Sequence, residues 1–261
     1  MTLAGRSLLL RLMFLLMFLL AAGTSAFLAL AFNGMLPVVD PEVELGQLPA
    51  AGAALATGLA GLLSSALYLR LFRRTPSLAV FFVIWFFLAM VPDVLKLLQL
   101  VLPYSSWPQL APAVSRMGLL AHLLGVMALF AAGLYAGGVR MQRHGTAIFI
   151  AGLIALALSW SIPIDTATLP PHLVFSAGIR SSMRVTIILF LVLAVLNFLQ
   201  AGISAGGARR YGSAAAVAAL AVGRELLFYS VDLVVLIVGM GLFLAGMALF
   251  AVLNYRDFLL S

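Results

Sequence analysis

The chain has no cysteine, three histidines and only eight acidic residues in 261. Without cysteine, disulfides, thiolate catalysis and thiolate-bound metals are all excluded. The histidines, His122, His144 and His172, are scattered, and no His-Glu-x-x-His pair exists to bind zinc. No metal and no other cofactor is therefore expected. A Gly-x-Ser-x-Gly nucleophile elbow and a phosphate-binding P-loop are also missing. No motif points to a catalytic residue, and the enzyme class stays open on the side of no.

Charge is scarce as well. Charged residues make up 9% of the chain, against roughly 25% for a soluble domain. Apolar residues fill the space: 64% of the chain is hydrophobic and its mean hydropathy is +1.19. The net charge of +7 does not indicate nucleic acid, because the basic residues sit in short turns between apolar runs instead of on one polar face. Composition thus predicts one domain over residues 1–261, an all-α polytopic transmembrane bundle of about seven helices.

The stretch from Phe72 to Pro103 sets the pattern. A basic turn, Phe72-Arg73-Arg74-Thr75-Pro76, leads into an unbroken apolar run from Leu78 to Val91, then Pro92-Asp93-Val94-Leu95-Lys96. The apolar character then resumes to Pro103, and the stretch as a whole is long enough to cross hydrocarbon. The remaining segments read as follows. The first runs from about Leu8 to Phe32; a signal peptide is the alternative, but the apolar run continues past Thr24-Ser25-Ala26 and favours an uncleaved helix. The second covers about Ala50 to Phe72, the fourth Ala113 to Gly138, the fifth Thr146 to Ile162 and the sixth Leu173 to Gly202. The stretch Ala214 to Leu253 is too long for one straight span. It is read as a connector or helix extension at the inner surface from Ala214 to about Phe228, followed by a seventh helix from about Leu226 to Leu253. Two shorter helices giving eight crossings are the alternative.

Turn charges give an orientation. Turns carrying Arg6/Arg11, Arg70/Arg73/Arg74, Arg140/Arg143 and Arg209/Arg210 hold no acid, and the alternate ones carry Asp40, Glu42, Glu44 and Asp165 without Lys or Arg. Basic turns mark the cytoplasmic side, so seven crossings put the N-terminus inside and the C-terminus outside. Eight would return the C-terminus inside.

Polar residues within apolar spans are costly and become the candidate sites. Asp93 and Lys96, three apart, can share a helix face. Arg116, His122, Arg180 and Arg184 fall at the same outer depth. Four cations against one aspartate suggest an electropositive layer for a small anion or an anionic lipid headgroup; the competing reading is that the cations snorkel to the interface or lock helices through Asp93. Arg224, Glu225 and Asp232 form a second intramembrane polar group, with Arg224 placed at the inner interface and Asp232 deeper. Small residues at helical spacing, Ala54, Gly58, Gly61 and Ser65, and the pair Gly133 and Gly137, suit close helix packing, either within the chain or across a dimer face. The only lysine, Lys96, lies in the third span, so a retinal Schiff base in a last helix is excluded, and no ladder of arginines marks a voltage sensor.

The pattern from Tyr68 to Lys96, an apolar helix, Leu-Phe-Arg-Arg-Thr-Pro and an aromatic-rich helix, resembles the membrane parts of bacterial seven-helix sensor proteins, the input modules of histidine kinases. The segment Gly223-Arg224-Glu225-Leu226-Leu227-Phe228 resembles uncharacterised multi-span proteins of spirochaete type. The first resemblance implies a sensor-like input module. Turn charge points to a bacterial inner (cytoplasmic) membrane, and the small-residue stripes and the absence of a catalytic motif favour a non-catalytic subunit or sensor-like module acting with a membrane protein partner or a second copy of itself. Two other functions stand beside it: a transporter or channel for a small anionic or lipid solute, and a lipid-modifying membrane enzyme using His122 or Asp93.

Overall fold

Proline placement decides where the central helix stops. Pro92 has no N–H, and its ring clashes with the carbonyl four residues back, that of Leu88. In the computed structural model helix α3 spans Leu78–Leu88 and ends at that residue. Beyond a turn, the chain continues as a ten-residue 3₁₀ helix, Val91–Leu100. Such runs rarely exceed three or four residues, and a long one inside a helical span marks a hinge or a sequence under strain. The structure describes residues 3–35, 45–72, 77–138, 144–166, 169–177, 180–205 and 208–260. The acidic turn with Asp40, Glu42 and Glu44, and Arg73, Arg74, Arg140 and Arg143, lie outside them.

The other helices are α1 (Leu3–Phe32), α2 (Leu48–Leu71), α4 (Ala111–Ala136), α5 (His144–Ser161), α6 (Arg180–Ala205), α7 (Ala208–Phe228) and α8 (Leu233–Leu260). A two-residue antiparallel ladder pairs Ile164 with Ala177 and Asp165 with Ser176 between α5 and α6. Among the described residues seven helical stretches are long and apolar enough to cross a membrane, and α5 adds a shorter apolar one, Ile148–Ser161. The protein is an all-α transmembrane helix bundle. Its third span is the axis: 83% of the most apolar window is buried, against 6% in α1, which lies at the rim.

Close backbone approaches fix the directions of the helices. A Cβ on Gly133 of α4 would sit 2.8 Å from the Ala194 carbonyl of α6, and Phe130 meets Phe190 edge-on, so α4 and α6 run parallel. Arg116, early in α4, donates to the carbonyl of Trp160, late in α5, so α5 runs back between them. Gly223 and Gly246 let α7 and α8 touch along their length: a Cβ on Gly223 would lie 2.6 Å from the Phe243 amide, and one on Gly246 would lie 2.7 Å from the Ala216 carbonyl. Near the far end of this hairpin, Gly212 sits against Leu253.

This hairpin corrects the sequence reading. Ala214 to Phe228 is not a connector; it is most of a full helix, and the chain reverses at Tyr229–Asp232. Asp232 is not deep in a span. It is exposed and caps α8, its Oδ1 accepting from the Val235 amide at 2.8 Å. Leu253 of α8 therefore returns to the end of the bundle at which α7 starts. Phe27, Leu28 and Ala31 pack at the opposite end with Ala50, Leu100 and Val101, so α1 starts at the same end as α7. Among the described residues, α8 thus ends at the end of the bundle at which α1 begins.

The small residues of α2 pack within the chain. A Cβ on Gly61 would lie 2.7 Å from the Phe87 carbonyl, and one on Gly58 would overlap Val94. Ala54 and Ser65 on the same helix are also buried. Gly133 serves the α4–α6 contact, and Gly137 terminates α4. These approaches make a clean prediction. Gly223→Ala should destabilise the purified protein by about 1–3 kcal/mol, the usual cost of overpacking. Gly118→Ala, in open space, should leave thermal unfolding in detergent unchanged or raise its midpoint, since alanine is the better helix former.

Candidate functional site

The 3₁₀ geometry arranges the central polar residues. With three residues per turn, side chains at i and i+3 eclipse. Asp93, Lys96 and Gln99 follow that spacing and form one buried stripe. A buried carboxylate in hydrocarbon must be paired and hydrogen-bonded. Arg224 of α7 does this with its planar fork: Nη2 donates to Asp93 Oδ1 at 3.0 Å and Nη1 donates to Oδ2. Such a bidentate pair is stronger and more directional than a single charged contact. Lys96 Nζ lies 3.6 Å from Asp93 Oδ2.

Lys96 has a second task. Its ammonium donates to the carbonyl of Phe228 at 3.0 Å and sits 3.5 Å from the centroid of the Phe228 ring. Phe228 is the last residue of α7, so its carbonyl has no intrahelical partner. A cation there satisfies that acceptor and meets the negative end of the helix dipole. Phe228 is thereby faced by Lys96, by Arg224 with its guanidinium 5.1 Å away, and by His122 of α4, whose ring stacks at 4.0 Å.

Three consecutive residues of α7 point three ways. Gly223 meets α8, Arg224 meets Asp93, and Glu225 meets His122. Glu225 Oε1 lies 3.0 Å from His122 Nε2, an ion pair when the imidazole is protonated. Further along the stripe, Gln99 Nε2 donates to the Ala111 carbonyl at 2.7 Å and to Ser115 Oγ at 3.0 Å. Ser115 Oγ also accepts from the Phe175 amide, tying the segment before α6 to the layer. That segment is held under strain, since Leu173 is fully buried with φ of 58°, a conformation costly for a branched side chain.

The structure therefore gathers Asp93, Lys96, His122, Arg224 and Glu225, which the sequence divides into two groups. Arg224 is not at the inner interface, because α7 runs the whole depth of the bundle and delivers it beside Asp93. This changes the charge balance. Asp93 and Glu225 oppose Lys96 and Arg224, so the buried core of the layer is balanced and not electropositive. The remaining cations are peripheral: Arg116 lies over Trp160 at 5.5 Å and exposed Arg184 over Tyr229 at 4.7 Å. The side chain of Arg180 lies outside the described residues. Phe228, Tyr229, Gln99 and Ser115 join the layer without having been singled out; for Gln99 the signal was present in its spacing from Asp93 and Lys96.

Chemically, the layer cross-links helices. Among the described residues no group of three or more histidine or acidic side chains could hold a metal. No family model, curated protein or solved structure matches the chain.

Removing one partner of a buried ion pair strands the other charge and costs about 3–5 kcal/mol. Asp93→Asn or Arg224→Gln alone should reduce the folded fraction recovered in mild detergent and lower the unfolding midpoint. The double variant should recover part of that loss, giving a favourable coupling in a double-mutant cycle. Strict additivity of the two single effects would contradict the pairing.

Proposed function

We propose that this chain is a non-catalytic membrane module, a subunit or sensor-like input, that acts through helix packing with a membrane partner. The observation that carries this reading is the closure of the buried charges on one another. Asp93, Arg224 and Lys96 are buried and bind helix to helix around the Phe228 carbonyl. A module of this kind needs an element with two arrangements. The 3₁₀ segment Val91–Leu100 is suited to that role. Rewinding ten residues from a rise of about 2.0 Å to 1.5 Å each would shorten it by about 5 Å and swing Asp93, Lys96 and Gln99 out of register. The resemblance of Tyr68 to Lys96 to bacterial sensor modules points the same way, with seven candidate spans and one shorter apolar helix among the described residues.

The positive-inside rule, applied to this fold, assigns the arginine-rich end of the bundle to the cytoplasm of a bacterial inner membrane. On that reading both termini are cytoplasmic, and Arg256 joins the other basic residues. Reporter tags fused separately to the two ends should both report the cytoplasm; tags reporting opposite compartments would reverse this assignment.

The functional reading is tested by purifying the tagged chain from its native membranes in mild detergent. A stoichiometric membrane protein should co-elute with it and dissociate when Asp93→Asn or Arg224→Gln loosens the layer. A chain that elutes alone, or that by itself moves solute across proteoliposomes or turns over lipid, overturns the proposal.

A further inference from the structure

A groove of about 600 Å³ lies between α6 and α7, within the range of sites that take small ligands. Its walls are apolar: Ile188, Val192 and Val195 come from α6, and Ala218 and Val222 from α7. One end is polar, formed by Arg184, Glu225 and Tyr229. From Arg184 to Leu196 the groove follows twelve helical steps, about 18 Å. It therefore has the amphipathic layout of a lipid, with a long apolar trough and a charged end near where α7 stops and α6 has just begun.

The charges at that end select among heads. Arg184 is exposed and offers a guanidinium suited to phosphate. The Glu225 side chain is 19% exposed, yet its Oε1 is sealed against His122. The exposed remainder of that side chain lines the groove, and a carboxylate there requires a hydrogen-bond donor. Behind it stands buried His122, whose Nε2 lies 3.0 Å from Glu225 Oε1 and leaves the rest of the carboxylate to the groove. A simple anionic head would satisfy Arg184 and be repelled by Glu225. A quaternary ammonium head carries positive charge but no N–H to donate. We infer that the α6–α7 groove binds one zwitterionic phospholipid with a primary ammonium head, its phosphate on Arg184, its ammonium on Glu225 and one acyl chain along the trough. The site shares Glu225, and through it His122, with the buried layer, but none of Asp93, Lys96 and Arg224 lines the groove.

The test uses the full chain in nanodiscs containing equal parts of phosphatidylethanolamine, phosphatidylglycerol and phosphatidylcholine, followed by native mass spectrometry of the lipid retained after release. The wild type should retain a single phosphatidylethanolamine in about tenfold preference, the factor one charge-assisted hydrogen bond supplies. Glu225→Gln should lose that preference while keeping phospholipid, and Arg184→Gln should lose retention of every phospholipid. Ala218→Leu, which fills the trough without touching the head end, should abolish retention in a protein that still elutes as a folded bundle. This last variant guards against misfolding of Glu225→Gln. Equal retention of the three lipids by the wild type, a preference for phosphatidylglycerol, or full retention in Ala218→Leu would overturn the inference.

Discussion

A carboxylate that never sees water has to be answered by the rest of the protein, and Asp93 is that group. It is fully buried on the innermost span, where an unpaired charge is severely penalised. Arg224 arrives from α7 to meet it, and α7 can come near because its own backbone is drawn onto α8 through Gly223. Lys96 meets it from the same 3₁₀ helix and in doing so satisfies the buried carbonyl that ends α7 at Phe228. The 3₁₀ winding, the stop at Leu88 and the depth of α7 are thus parts of one solution. With an α-helix through residues 91–100, Asp93, Lys96 and Gln99 would fan around the axis instead of stacking.

The layer also shows why counting charges in spans misleads. Tallied along the chain, the outer half looks basic. In three dimensions the acids come from unexpected places: Glu225 belongs to a stretch that reads as a surface connector, and α7 carries it to His122. Arginines that look free lie over aromatic rings, Arg116 on Trp160 and Arg184 on Tyr229, which lets a cation remain near hydrocarbon at modest cost.

What could be read from the sequence divides along physical lines. Apolar run length identified α1, α2 and α4 closely, because crossing hydrocarbon constrains length directly; the third span was located, but its α-helix ends at Leu88. The pairing of Asp93 with Lys96 was legible from spacing, and the stop near Pro92 was implicit in proline chemistry. The hairpin at Tyr229–Asp232 was missed because Val231 and Leu233 continue the hydrophobic pattern through the turn. Its one local signal was Asp232 ahead of an apolar run, the ordinary mark of a helix start, and it was read instead as a buried carboxylate. The contact between Asp93 and Arg224 was not legible at all, since nothing local relates residues 131 apart.

That separation has a bearing on biogenesis. As the polypeptide is threaded into the bilayer from its N-terminus, the third span enters long before α7 has been synthesised. Until then the aspartate has only its neighbouring lysine for company, although α2, the third span, α4 and α6 can already pack on one another through Gly58, Gly61 and Gly133. The glycine-faced α7–α8 hairpin would then behave as a late-arriving keystone. Quality-control proteases that sample unpaired intramembrane charges would have a window on this protein that closes only when its last quarter has been inserted.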